Sequence, residues 1–281
     1  MKLSVIDSGN FKLDGGAMFG VVPKVLWSKQ IPADDLNLCS WKMRCLLIED
    51  GNRLILVDTG MGDKQSDKWL SYYYRHGDGD LIHNIRCQGY HESQVTDVIL
   101  SHLHFDHAGG AVSWNKDKTG YQPTFENAKY WTHSAHWQWA TEPNDREKAT
   151  FLTENILPLQ EHEQLYFIDK VDQPFENIEF RLADGHTEKM LMPLINTGSQ
   201  KVLFIADTIP SHAHVHIPYC MGYDVRPLQT MIEKKSLLKE VIDNDYLVYY
   251  DHDPFFDVSK IELTAKGYRA VDGGSLKSYL G

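Results

Sequence analysis

The decapeptide Ser101-His102-Leu103-His104-Phe105-Asp106-His107-Ala108-Gly109-Gly110 sets four potential metal ligands within six residues. It follows Val95-Thr96-Asp97-Val98-Ile99-Leu100, a short run rich in apolar and β-branched side chains that reads as a buried strand delivering the cluster to a sheet edge. In an extended segment residues two apart point the same way, so His102 and His104 present imidazoles to one side while Leu103 and Phe105 pack on the other. Asp106 and His107 are consecutive, and a turn after the strand swings both toward the same hole. Gly109 and Gly110 then let the backbone turn tightly and approach the site with no side chain in the way.

Neutral imidazole nitrogen suits zinc and its first-row neighbours, and a carboxylate adds negative charge and a harder donor. Three histidines and an aspartate exceed what one catalytic zinc takes from a protein, because such a site keeps a coordination position for water. Two metals are the economical reading, and a polar loop of solvated histidines is the bland one.

His102-Leu103-His104-Phe105-Asp106-His107 resembles the HxHxDH signature of the metallo-β-lactamase-fold hydrolase superfamily. The flanking Ser101 and Ala108-Gly109-Gly110 are similar to its lactonase and organophosphate-hydrolase branches. The resemblance implies an α/β fold, a four-layered αββα sandwich of the metallo-β-lactamase type with a dinuclear centre at one edge. It implies a single domain over 1–281, made of two pseudo-repeated halves, roughly 1–150 and 151–281.

The same resemblance asks for three more ligands downstream. His186, in Asp184-Gly185-His186-Thr187, follows an expected strand at 178–182; Asp207 ends a hairpin; His252 follows an expected strand at 246–250. It implies that His102, His104 and His186 hold one metal, that Asp106, His107 and His252 hold the other, and that Asp207 bridges them. Asp106 and Asp207 are then the catalytic carboxylates, with Asp207, or a water it holds, passing a proton to the leaving group. Asp58 is read either as the residue that orients a ligating imidazole from behind or as a turn-forming aspartate. The cofactor is two divalent metal ions, zinc first, although manganese, iron or cobalt suits the same donors depending on supply.

Departures from the pattern narrow the branch. His186-Thr187-Glu188-Lys189-Met190 replaces the His-Thr-Pro-Gly-His run of glyoxalase II-like thioesterases, and His104 speaks against the diiron electron-transfer relatives. Pro210 stands where homoserine-lactone lactonases carry a tyrosine, three residues beyond the bridging aspartate. The implied activity is cleavage of a small ester by a metal-bridging hydroxide, foremost a lactone of the N-acyl homoserine type. An organophosphate triesterase is the alternative, and a non-hydrolytic metal-binding protein the alternative of another class.

The net charge of −11 argues against nucleic-acid partners, which need basic patches. A hydrophobic content of 42% with 24% charged residues is ordinary for a soluble globular chain. Met1-Lys2-Leu3-Ser4-Val5-Ile6-Asp7 reaches an acidic residue before any long apolar stretch, so a cytoplasmic location and no membrane partner are expected. Cys39, Cys45, Cys87 and Cys220 lack a CxxC pair and read as reduced thiols.

Along the chain, 1–9 predicts a first strand and 11–37 an irregular stretch whose apolar residues cover the site mouth, form a partner surface such as a homodimer contact, or tuck onto the core. Two hairpins, 43–57 around Glu49-Asp50-Gly51-Asn52 and 191–206 around Asn196-Thr197-Gly198, each end in Asp-Thr and suggest a structural duplication. Helices are expected at 68–75, at 133–140 and 145–151, and at 228–242, the last with Leu228, Met231, Ile232, Leu238, Val241 and Ile242 inward and Glu233-Lys234-Lys235 outward. Residues 111–114 are expected to finish a short helix. His212, His214 and His216 alternate after Asp207 and are read as pocket-lining, because they follow that aspartate directly, with a solvated, locally extended segment as the alternative.

Overall fold

The computed structural model describes residues 1–281. In chain order the strands are β1 (Lys2–Asp14), β2 (Leu38–Asp50), β3 (Arg53–Val57), β4 (Asp97–Ile99), β5 (Val112–Trp114), β6 (Tyr121–Pro123), β7 (Lys129–Thr132) and β8 (Leu165–Phe167). They continue as β9 (Ile178–Ala183), β10 (Met190–Asn196), β11 (Lys201–Phe204), β12 (Leu247–Tyr249), β13 (Val258–Thr264) and β14 (Gly267–Gly274). The chain divides into two compact units, Met1–Asn10 with Met43–Glu176, and Phe11–Lys42 with Asn177–Gly281.

The sheet of the first unit has the order β1-β2-β3-β4-β7-β8. The expected hairpin joins β2 and β3 antiparallel, with Leu46 opposite Val57 and Gly51 in the turn at φ 62°. β4 then lies parallel to β3, β7 to β4 and β8 to β7. Beyond their first residues, Arg53 and Asp97, β3 and β4 are buried apolar runs without alternation, as strands in parallel pairs commonly are. Arg53 ties the two together, its Nε and Nη2 donating to the two carboxylate oxygens of Asp97 at 2.9 and 2.6 Å. Leu47, Leu56, Val98, Leu103, Tyr130 and Ile156 belong to the core beneath.

Two expectations in this unit are corrected. Residues 112–114 are strand β5, paired with β6, and the short helix is Phe105–Ala108 with a 3-10 turn at Gly109–Ala111. Residues 145–150 are turns rather than helix, opened by the Asn144 side chain, which accepts from the backbone N–H of Arg146 (2.9 Å) and Glu147 (3.1 Å). The helix lies instead at Thr153–Glu161, obscured in sequence by an internal Pro158.

The sheet of the second unit has the order β14-β13-β12-β11-β10-β9. β10 and β11 form the second expected hairpin, with Leu194 opposite Leu203, and Gly198 at φ 93° in its turn. β12 is parallel to β11. Each unit thus repeats one plan, a hairpin followed by a third strand parallel to the hairpin's second strand. The hairpin β13–β14 escaped the sequence reading because its strands are largely polar and part-exposed.

The long helix is Pro227–Asp243, and its buried face differs from the one expected. Leu228 and Ile232 are 72% and 64% exposed, whereas Lys234 is fully buried. The Lys234 ammonium donates to the carbonyls of His216, Ile217 and Tyr219 at 3.0, 3.3 and 2.9 Å. Those acceptors repay part of the desolvation, yet burial still pulls its pKa down to about 8.

The early segment is more ordered than expected. β1 runs on to Asp14, whose carboxylate accepts from Ala17 N–H at 2.8 Å and caps a helix over Gly15–Phe19. Met18, Phe19 and Trp27 are buried, whereas Val21, Val25 and Leu26 are exposed. All four cysteines are free thiols, and no helix is long and apolar enough to cross a membrane.

Candidate metal centre

In the first unit the candidate residues gather where β3 and β4 end. Asp58 turns the chain out of β3 at φ 58°, and its buried carboxylate takes three bonds. Ser101 N–H donates to Oδ1 at 2.7 Å and Ser101 Oγ to Oδ2 at 2.7 Å, while His107 Nδ1 lies 2.9 Å from Oδ2. Asp58 thus both turns the chain and sets its carboxylate against the His107 imidazole. The geometry directs the His107 proton to Nδ1 and leaves Nε2 as the donor atom, on the side of Asp106, whose Oδ2 is 3.9 Å away.

His102 lies 3.1 Å by Nδ1 from Ser101 Oγ, a hydroxyl whose own proton goes to Asp58, so its Nε2 is the donor atom. His104 is turned the other way round. Its Nε2 is 3.4 Å from Glu147 Oε1, which makes Nδ1 its donor atom. Glu147 is itself held by Trp139 Nε1 and Asn144 Nδ2, donating to Oε2 at 2.7 and 2.6 Å. The ligand atoms of His102 and His104 lie within 4.8 Å of one another. The two glycines of the motif behave as expected, since a Cβ on Gly109 would stand 2.0 Å from Met61 O and one on Gly110 2.2 Å from Thr59 O.

In the second unit Asp207 follows β11 and is mostly buried. Its Oδ2 is 3.2 Å from His186 Nε2 and its Oδ1 3.3 Å from His252 Nε2. Both rings are fixed through the opposite nitrogen: His186 Nδ1 is 3.0 Å from Asp224 Oδ1, and His252 Nδ1 is 2.6 Å from the Lys42 carbonyl. Asp251 adds a second carboxylate, and donor atoms of Asp207, Asp251 and His252 lie within 4.8 Å of one another.

The chemistry of these donor sets fits divalent cations. Buried imidazoles with Nε2 or Nδ1 turned to a common point, and buried carboxylates beside them, are costly unless a cation sits among them. Each ring is backed by a carboxylate, hydroxyl or carbonyl on its other nitrogen, the arrangement that fixes tautomer and orientation in metal sites.

The sequence reading missed Glu147, Asp224 and Asp251. Asp251 was legible as the neighbour of His252, but Asp224 lies far from His186 in sequence and Glu147 sits in a stretch expected to be helix. One expectation fails outright. His214 does not line a pocket; its ring stacks on Phe19 at 4.5 Å and its Nε2 meets Met18 O at 2.9 Å, and full burial pulls its pKa down to about 3. His136 also serves structure, accepting at Nε2 from Leu103 N–H at 2.9 Å, and His133 caps the helix Ser134–Thr141.

Aromatic residues border the motif. Trp69 and Tyr73 pack on Phe105 with centroids 5.0 and 4.5 Å away. Burial, and then the charge of Asp106, push the Tyr73 phenol up to about 12.

Comparison with known proteins places the chain among similar sequences and folds. The chain is 23% identical over 267 residues to the N-acyl homoserine lactonase AiiA of Bacillus thuringiensis subsp. kurstaki, covering 90% of this chain and 93% of that one. An N-acyl homoserine lactonase of Bacillus cereus is 24% identical over 237 residues, 79% of this chain and 84% of the relative. Among solved structures, a probable metal-dependent hydrolase from Staphylococcus aureus superposes with a TM-score of 0.88 at 27% identity, covering 97% of this chain and 96% of its own. AidC, a dizinc quorum-quenching lactonase in complex with a product, superposes with a TM-score of 0.79 at 22% identity over 96% and 93% of the two chains. Residues 44–252, most of the chain, match the profile of the metallo-beta-lactamase superfamily, and the chain belongs to that superfamily.

Proposed function

We propose that this metal-dependent hydrolase holds two divalent ions, zinc foremost, and opens a small lactone of the N-acyl homoserine type, its two units acting as one domain. In this reading His102, His104 and His186 hold one ion, Asp106, His107 and His252 the other, and Asp207 bridges them. The observation that carries it is the Asp207 carboxylate, which offers one oxygen toward His186 Nε2 at 3.2 Å and the other toward His252 Nε2 at 3.3 Å. A carboxylate divided in this way between two imidazole faces is suited to two cations rather than one.

When bound, the ions supply Lewis acidity and water activation near neutral pH. The protein's own groups do the rest. Asp58, Asp224 and Glu147 hold the rings of His107, His186 and His104, so each donor atom is fixed before substrate arrives. Asp207, or a water it holds, would take the proton released by the attacking water and give it to the leaving alkoxide. Tyr73, kept protonated at neutral pH, is the hydroxyl we assign to the carbonyl oxygen of the ester, a role Pro210 cannot fill. Trp69, Tyr73 and Phe105 supply an apolar wall suited to an acyl chain.

The lactone class is supported by the Bacillus lactonases that align over most of the chain. Organophosphate triester hydrolysis is the second reading, since the same nucleophile attacks phosphorus with little rearrangement. The test is a panel of lactone, phosphotriester, thioester and β-lactam substrates, with and without chelator, on the native chain and on His104→Ala and Asp207→Ala. Lactone turnover lost on chelation and in both variants supports the proposal. Turnover that survives in metal-free protein, or a panel on which only the phosphotriester is cleaved, rejects it.

A further inference from the structure

The histidines that alternate after Asp207 part company in the structure. His214 turns inward, whereas His212 and His216 line a cavity of about 500 Å³ in the second unit, together with Tyr219, Lys266, Tyr268 and Arg269. No lining residue belongs to the candidate metal set. We propose that this cavity binds a small organic acid carrying a carboxylate and a nearby hydroxyl or amide N–H.

One wall is a fixed hydrogen-bond acceptor. His212 Nδ1 lies 2.5 Å from Oδ2 of the fully buried Asp253, which also accepts His212 N–H at 2.6 Å. The other oxygen, Oδ1, accepts from Phe255 and Phe256 N–H at 2.8 and 2.9 Å. The close contact of Nδ1 with Asp253 Oδ2 places the imidazole proton on Nδ1, so Nε2 is the ring's acceptor, matched to an O–H or N–H.

The lining also carries two cations. Lys266 comes from the β13–β14 turn and Arg269 from β14, and Gly267, which opens β14 at φ 104°, approaches so closely that a Cβ there would stand 3.3 Å from two atoms of the His216 ring. Arg269 lies in register opposite Glu262, which is outside the lining, so the lining carries a small excess of positive charge. That excess, on a chain of net charge −11, suits a monoanion better than a dianion. Tyr219 and Tyr268 add faces for a short carbon body.

The test is titration calorimetry on the metal-loaded full chain with 4-hydroxybutyrate, its uncharged counterpart 4-hydroxybutyramide, and inorganic phosphate. Saturable binding of the acid is expected, with little for the amide and weaker binding of phosphate. Lys266→Ala/Arg269→Ala should weaken the acid by about tenfold or more, as expected for lost charged hydrogen bonds. His102→Ala should leave that binding in place, which separates the cavity from the metal centre. No saturable binding, an amide that binds as well as the acid, tighter binding of phosphate, or affinity unchanged in the double variant would each overturn the proposal.

Discussion

Asp224 sets its Oδ1 3.0 Å from Nδ1 of His186, 38 residues away in sequence, and both side chains are almost completely buried. The contact fixes the ring so that Nε2 faces Asp207. Asp224→Ala should therefore lower affinity for zinc by about 10- to 100-fold, the usual range for losing such a partner. Competition against a chelating dye reads this directly, and unchanged affinity would assign Asp224 a purely structural role.

Glu147 stands behind His104 in the same manner, through Nε2 rather than Nδ1. Glu147→Gln keeps the bonds that reach Oε1 or Oε2 from neighbours only in part and removes the charge, so metal should leave faster on addition of chelator. Thermal stability should fall less than in Glu147→Ala, which also strips the partners of Trp139 Nε1 and Asn144 Nδ2. Equal metal-release rates in the native chain and the Gln variant would contradict the assignment.

Tyr73→Phe removes a hydroxyl while leaving the ring packed on Phe105 and Trp69. If the phenol serves the ester carbonyl, kcat on the cleaved lactone should drop by about a hundredfold, with KM little changed. A change confined to KM would reduce Tyr73 to a wall of the acyl site.

Lys234→Met deletes one ammonium and leaves three inward carbonyls, those of His216, Ile217 and Tyr219, without their shared donor. The expected loss is about 2–4 kcal/mol by urea unfolding, softened by removal of a buried charge. A variant as stable as the native chain would mean that water takes over all three acceptors.

His214 carries the clearest pH signature. Its pKa falls from 6.5 to about 3 on folding because burial disfavours the imidazolium. Between those values the unfolded chain binds a proton that the folded chain refuses, so the contribution to stability is intact above about 6.5 and is lost as pH falls toward 3. Urea midpoints measured from pH 7 down to pH 4 should fall, and His214→Phe should fall less steeply over the same window.

The amino-acid sequence alone determined the ligand loop at 102–107, the two Asp-Thr hairpins, the candidate ligands His186, Asp207 and His252, and the close approach of Gly109 and Gly110. Those features are local: a ligand type, a turn residue or an apolar run is written in neighbouring residues. Tertiary structure alone decided which side chain stands behind each imidazole, as with Glu147 behind His104 and Asp224 behind His186, because such pairs are bought by packing and leave no spacing in the chain. It also decided the inward face of the helix Pro227–Asp243, where carbonyls from a distant loop drew Lys234 inside while Leu228 and Ile232 stayed in water. Periodicity records hydrophobicity along one element, but burial is settled by what the facing element offers, and for an amphipathic side chain three well-placed acceptors outweigh its charge.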